Sequence, residues 1–203
     1  RDGIGGIDWV KTLSGKGDEV TKLVEKGKSS FAGPELMGKT LGIIGLGAIG
    51  GMVANAATYL GMNALGCDPY LSVKGAWGLS RSVSYAPDYN TIYENSDYIT
   101  LHIPVNDKTV GMINKEAFSC MKPGVRLINL ARGELVNNED LLEALDSGIV
   151  SKYVTDFPND TILGHEKVIA FPHLGASTPE SEENCATMAV HQLMENLEEG
   201  NII

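Results

Sequence analysis

Leu41-Gly-Ile-Ile-Gly45-Leu-Gly47-Ala-Ile-Gly50, continued by Met52-Val-Ala-Asn-Ala-Ala-Thr-Tyr-Leu60 and then Asn63-Ala-Leu-Gly-Cys-Asp68, is the stretch from which the rest of this chain is read. Its first piece is a short apolar run closed by glycines, which predicts a strand and a tight turn. Ile49, Val53, Ala56, Ala57 and Leu60 then fall on one face at helical spacing. The third piece is another short apolar run, ending in a carboxylate. Gly45-x-Gly47-x-x-Gly50 thus sits at the turn between a strand and a helix. Gly45 permits a bend that a Cβ would block, and Gly47, with Ala48 and Ile49 after it, lets the main chain approach a pyrophosphate. Gly50 lets the helix pack close to the strand. The N–H groups and dipole of the helix start then hold the phosphates. Asp68 lies eighteen residues past Gly50, where an acid takes the adenosine ribose hydroxyls. An acid there repels a 2′-phosphate and no Arg follows it immediately, so the predicted cofactor is NAD rather than NADP.

The 203 residues suffice for one substantial core. Sixteen Lys and Arg against 26 Asp and Glu give a formal net charge of -10, which speaks against nucleic acid or an anionic membrane as partner. An anionic ligand must therefore be drawn by local groups. No apolar run reaches membrane-spanning length and no signal peptide opens the chain. Cys67, Cys120 and Cys185 are scattered and lack metal-ligand spacing, which fits reduced thiols in a cytoplasmic protein and no metal site.

Outward from the central stretch, 2–13 and 18–26 read as short helices and 27–34 as a loop. Residues 69–82 read as irregular. Further strands are expected at 83–86, 97–103, 125–130, 149–154 and 167–171, with helices at 88–95, 115–119 and 138–147 between them. The last helix is the best marked, with Thr178 as N-cap, Pro179 at its first position and Gly200 after it. Its apolar stripe is Ala186, Ala189, Val190, Leu193 and Leu197. Strands alternating with helices predict an α/β fold with a doubly wound parallel sheet. Residues 1–33 form linking helices and a loop, 34–178 the core, with its sheet starting near Leu41, and 179–203 the C-terminal helix. Both chain ends read as cut from something longer.

Ligands of such a sheet sit beyond the carboxyl ends of its strands. The polar residues expected there are Asp68, His102-Ile-Pro104, Asn129-Leu-Ala-Arg132-Gly133, Asp156 and Pro172-His173. Leu41 to Gly50, His102-Ile-Pro104, Met121-Lys-Pro-Gly-Val-Arg-Leu-Ile-Asn-Leu-Ala-Arg-Gly133 and Pro172-His-Leu-Gly-Ala-Ser-Thr178 together resemble the signatures of the D-isomer-specific 2-hydroxyacid dehydrogenases. The resemblance covers nearly the whole chain, and the block ending in Ala-Arg-Gly is far more specific than the glycine triplet. It implies a Rossmann NAD-binding domain. The family's substrate domain, made from an N-terminal segment and the C-terminal end, would lie outside this chain. Pro-His-Leu-Gly-Ala-Ser-Thr is most similar to members that oxidise 3-phospho-D-glycerate in serine biosynthesis. Members acting on lactate or glycerate, and NAD-sensing corepressors that keep the same Arg and His, are the alternatives.

The implied chemistry also stands on physical grounds. His173 suits transfer of the substrate hydroxyl proton, since imidazole titrates near neutrality. Arg132 presents a permanently charged fork to the carboxylate and C2 oxygen of a small anionic 2-hydroxy or 2-oxo acid. By resemblance Asp156 binds the nicotinamide amide, while Pro104, Leu130, Ala131, Arg132, His173 and Gly175 line the cofactor. Members of the family usually pair the His with a Glu in a Glu-Pro sequence shortly after the Asp156 position. This chain reads Asp156-Phe-Pro-Asn-Asp160 instead, so Asp160 is the expected partner, with Glu166 as the substitute. His102 reads as a packing residue beside the cofactor. Members are usually dimers or tetramers associating through this domain.

Overall fold

The computed structural model describes residues 3–200. Strands β1 (Thr40–Ile44), β2 (Asn63–Cys67), β3 (Ser84–Tyr85), β4 (Tyr98–Leu101), β5 (Val125–Asn129), β6 (Val150–Thr155) and β7 (Val168–Ala170) form one sheet. Its order is β3-β2-β1-β4-β5-β6-β7, and every neighbouring pair is parallel. The order reverses direction beside β1, which opens a crevice between the ends of β1 and β4. The doubly wound parallel sheet expected from the alternation of elements is therefore present.

Helices α1 (Gly3–Lys11) and α2 (Val20–Gly27) precede the sheet; α3 (Ala48–Tyr59) joins β1 to β2. The remaining helices are α4 (Val73–Trp77), α5 (Tyr89–Asn95), α6 (Lys115–Cys120), α7 (Asn138–Asp146) and α8 (Pro179–Glu199). The part of the first expected helix that includes Asp2 lies outside the described residues. The stretch expected to be irregular holds α4, whose N-cap Ser72 accepts a hydrogen bond from Gly75 N. Five residues are too few for an apolar period to show.

Alternation along β1 sends Leu41 and Ile43 to the face covered by α3, where they meet Ala54, Ala57, Met62 and Ala64. Ile44 faces the larger cluster under α5, α6 and α7, with Ile92, Phe118, Leu127, Leu141, Leu145 and Tyr153. On that side a Cβ at Gly42 would lie 2.6 Å from the Ile92 side chain, so the missing side chain is what lets α5 settle on β1. The buried face of α3 is Gly50, Ala54 and Ala57, one residue round from the predicted stripe. Ile49 and Leu60 are exposed because small residues, rather than bulky ones, allow the close approach to the sheet. Helix α8 begins as predicted, with Thr178 accepting from Ser181 N and Gly200 in the left-handed conformation. Its apolar stripe, however, lies open, with Val190, Leu193 and Leu197 all exposed.

One row across the sheet sets the positions of the polar groups. Cys67, Ile44, Leu101, Asn129, Thr155 and Ala170 are register partners in turn, each the last residue of its strand. The chain steps from this row into Asp68, Gly45, His102, Leu130, Asp156 and Phe171. Most of the polar residues expected beyond the strand ends therefore leave the sheet at a single edge.

Candidate functional site

The crevice starts at the turn after β1. Gly45 has φ of 94°, a left-handed conformation that disfavours a side chain. Its N–H donates to Cys67 O, and a Cβ there would stand 2.5 Å from His102 O. Gly50 is more constrained still: a Cβ on it would meet Gly45 O at 1.9 Å. Gly47 differs from both. It precedes α3 with ordinary extended backbone, and a Cβ on it would meet nothing within 4 Å. The space in front of Gly47 is open, where the amides of the first turn of α3 leave their donors unsatisfied by the helix itself.

Asp68 closes this turn against the end of β2. Its Oδ2 accepts from Leu46 N and its Oδ1 from Tyr70 N, each at 2.8 Å. Each carboxylate oxygen keeps a further acceptor site. Two cavities meet at Asp68. One, of about 480 Å³, is lined by Gly47, Ala48, Asn55, Asp68 and Lys74 among others. The other, of about 430 Å³, lies between Asp68, Tyr70, Tyr89, Ile103 and Pro104. A further groove of about 810 Å³ runs across β4, β5, β6 and β7 past Tyr98, Arg126 and Lys152, bounded by Pro34 and Met37. His102 is half-buried, and its Nε2 lies 3.0 Å from Thr100 Oγ1. Burial holds its pKa below the ordinary imidazole value, so it is a neutral hydrogen-bonding residue at pH 7.

Beyond β5 the backbone is folded by Asn129, which is fully buried. Its Nδ2 donates to Arg132 O at 2.8 Å and to the Tyr153 hydroxyl at 3.2 Å, while Oδ1 accepts from Ala131 N at 3.2 Å. Asn129 thereby sets the turn that presents Arg132, a positioning role the sequence reading did not assign. The available signal was an amide at the end of a strand otherwise buried and apolar. Arg132 is exposed, donates to Ala131 O, and makes no ion pair among the described residues. Its guanidinium is thus not committed to a protein carboxylate.

Beyond β6 and β7 stand Asp156 and His173. His173 Nδ1 lies 2.7 Å from Asp156 Oδ2. The carboxylate beside the imidazole is therefore Asp156, not the expected Asp160 or Glu166. Both of those are exposed, because Asn159 closes the intervening loop into turns by accepting from Ile162 N and Thr161 N. That loop turns its acids outward, whereas Asp156 leaves β6 directly beneath His173. Asp156 is 7% exposed, and its Oδ1 is buried with no hydrogen-bond partner among the described residues. Phe157 packs its ring on the imidazole, with centroids 4.8 Å apart. A Cβ on Gly133 would lie 3.2 Å from Phe157 Cβ. The missing side chain at Gly133, next to Arg132, thus leaves room for Phe157, whose ring in turn packs on His173. Leu130, just past β5, and Gly175, five residues past β7, are both exposed.

These features fit a dinucleotide. An open glycine approach leads to a helix start, a carboxylate with spare acceptor sites stands beside two cavities, and an orphaned carboxylate oxygen waits at the far end of the crevice.

A family model described as D-isomer specific 2-hydroxyacid dehydrogenase, NAD binding domain, matches residues 9–175. The chain is 38% identical over 177 residues to D-3-phosphoglycerate dehydrogenase of Bacillus subtilis, which covers 84% of this chain and 33% of that protein. It is 41% identical over 164 residues to D-3-phosphoglycerate dehydrogenase of Rattus norvegicus, covering 78% and 30%. Among solved structures, D-lactate dehydrogenase with NAD+ from Lactobacillus jensenii matches with a TM-score of 0.72 at 27% identity, over 97% of this chain and 65% of that one. The chain spans about a third of the length of the two curated relatives.

Proposed function

The chain belongs to the D-isomer-specific 2-hydroxyacid dehydrogenase family, and from that membership we propose that the protein oxidises 3-phospho-D-glycerate to 3-phosphohydroxypyruvate with NAD, the first step of serine biosynthesis. The observation that carries the reading is that a guanidinium with no ion pair among the described residues follows β5 and a carboxylate-paired imidazole follows β7, at the same sheet edge as the glycine turn after β1. The choice of the phosphorylated acid rests on the names of the curated relatives and on Pro172-His-Leu-Gly-Ala-Ser-Thr178.

The bound nicotinamide supplies a two-electron acceptor for the hydride leaving C2. Arg132 holds the substrate carboxylate and C2 oxygen by paired, charged hydrogen bonds. His173, with Nδ1 occupied by Asp156, takes the hydroxyl proton at Nε2 as the C2–O bond becomes a carbonyl. The Asp156 carboxylate stabilises the imidazolium that results. Gly45, Gly47, Ala48, Ile49 and Gly50 would hold the pyrophosphate and Asp68 the adenosine ribose, with Pro104 lining the cofactor. Leu130, Ala131 and Gly175 would line the cofactor as well. Basic groups outside residues 1–203 take the substrate phosphate. By the same resemblance the protein is a homodimer or homotetramer, and its scattered cysteines fit reduced thiols in the cytoplasm. No described helix is long and apolar enough to cross a membrane.

Steady-state assays of the intact protein with 3-phospho-D-glycerate, D-lactate and D-glycerate decide the substrate. NAD reduction is expected with the phosphorylated acid, and equal turnover of the other two would remove that assignment. The choice of cofactor has its own test. Asp68→Ala deletes the ribose acceptor and the charge that repels a 2′-phosphate. It is expected to weaken NAD binding by about 10-fold, as for loss of a charged hydrogen bond, and to narrow the gap between NAD and NADP in KM. An unchanged NAD/NADP ratio would place the ribose elsewhere.

A further inference from the structure

The beginnings of three neighbouring strands gather an unusual balance of charge. Lys39 immediately precedes β1, Asp97 precedes β4, Lys122 lies in the turn before β5, and Arg126 is the second residue of β5. Strands β1, β4 and β5 are adjacent and parallel, so these residues meet at the amino edge of the sheet. Together they line a cavity of about 200 Å³. The whole chain carries 26 acids against 16 Lys and Arg, whereas this cavity holds three cations and one carboxylate. That carboxylate is already engaged. Asp97 Oδ2 accepts from Thr40 N at 2.8 Å, and Oδ1 lies 3.6 Å from Lys122 Nζ. Lys39 and Arg126 are left over: both are half-buried, and neither side chain makes an ion pair or a hydrogen bond among the described residues. The Arg126 guanidinium lies over the Tyr98 ring, 5.1 Å from its centroid, which directs it without neutralising it. Arg126 also stands level with Lys152 on β6, and like charges facing each other across strands repel.

We propose that this cavity binds a phosphate group, at a site separate from the dinucleotide crevice. Its cations come from the beginnings of different strands, so a tetrahedral oxyanion with an oxygen for each suits them better than a planar carboxylate with two. Arg126 supplies a fork, Lys39 and Lys122 point charges. The volume holds a phosphate but falls below the roughly 300–1,000 Å³ of pockets that enclose larger organic ligands. Pro34 and Arg126 also border the groove of about 810 Å³ that passes Ile128, Val154 and Ile169. The organic part of a phosphate monoester would leave the cavity along that apolar surface. The site lies a strand's length, about 15 Å, from the carboxyl edge. It is therefore not the seat of the phosphate of a substrate held by Arg132, and it stands or falls independently of the dehydrogenase reading.

The experiment titrates inorganic phosphate into the intact protein with NAD in excess, at an ionic strength held constant with chloride, and follows 31P linewidths. A saturable site of millimolar affinity is expected. Lys39→Gln and Arg126→Gln should each weaken it about 10-fold or more, the scale of a lost hydrogen bond to a charged group. Arg132→Gln, at the other edge of the sheet, should leave it unchanged. Asp97→Asn carries the opposite sign. Its amide oxygen can still accept from Thr40 N while the competing negative charge is gone, so phosphate should bind several-fold more tightly. Lys39 and Arg126 sit on different segments with their side chains half-exposed, so the two Gln variants test the site independently. Phenyl phosphate is the second probe: tighter binding than inorganic phosphate assigns the site to monoesters, and equal or weaker binding assigns it to the free ion. The proposal is overturned by the absence of saturable binding, by affinity that survives both Gln variants, by its loss in Arg132→Gln, or by an Asp97→Asn protein that binds no more tightly. None of these readouts uses turnover, so they stay separate from the substrate assays, whose failure would instead strike the dehydrogenase reading.

Discussion

His173→Ala is expected to lower kcat of the intact protein by about 10²- to 10⁴-fold, the range that a positioned general base supplies, while NAD affinity changes little. The imidazole is half-exposed and contributes a proton-transfer atom rather than core packing, so the variant should fold. Its loss removes the acceptor for the hydroxyl proton at the moment hydride leaves C2. Arg132→Ala is expected to act differently, raising KM for the acid as well as lowering kcat, since the guanidinium holds the substrate in the ground state and the transition state alike. Arg132→Lys should recover little, because a point ammonium cannot match a carboxylate and C2 oxygen as a fork does. Steady-state kinetics beside a binding isotherm for NAD separates these cases. A His173→Ala enzyme that kept a tenth or more of its kcat would move proton transfer to another group.

The glycine turn yields the second large effect, through a contrast between two identical substitutions. Gly50→Ala forces a Cβ to within 1.9 Å of Gly45 O, a backbone atom that cannot step aside. It should cost about 1–3 kcal/mol of stability, as overpacking does, and disturb the turn that presents the phosphate donors. Gly47→Ala meets no protein atom within 4 Å and needs no unusual backbone angle. By restricting the unfolded chain it should leave stability unchanged or raise it by about 0.4–1 kcal/mol. Its methyl nevertheless projects into the space where the pyrophosphate must come close, so NAD affinity should fall at least about 10-fold. Thermal melts and NAD titrations of both variants check the pair. Full NAD affinity in Gly47→Ala would mean that the phosphates do not approach this turn.

Much of the fold was legible because its signals are local. The apolar runs around Ile43, Ile99, Leu127 and Val154 are each short enough to be strands and are separated by helix-length segments. Helix α8 was marked by its caps, Thr178 and Gly200, which act within a few residues. The buried stripe of α3 lies one residue away from the apolar one, since hydrophobicity alone favours Ile49 over Gly50. Only contact with Gly45 and the sheet shows why the smallest residue faces inward. At the site, Asp68, Arg132 and His173 stood out by type and by position after a strand. The partner of His173 did not. Motif position pointed to Asp160, whereas the nearest acid in space leaves the adjacent strand, seventeen residues before the imidazole.

The parallel α/β sheet, the glycine turn and the residue types gathered at the carboxyl edge are written in the chain itself, because periodicity, turn chemistry and charge are properties of neighbouring residues. Three features are not: which carboxylate meets the imidazole, the shaping by Asn129 of the turn that carries Arg132, and the oxygen of Asp156 left without a donor. They arise from strand register, which brings Asn129, Thr155 and Ala170 level across β5, β6 and β7 and so sets Leu130, Asp156 and Phe171 side by side.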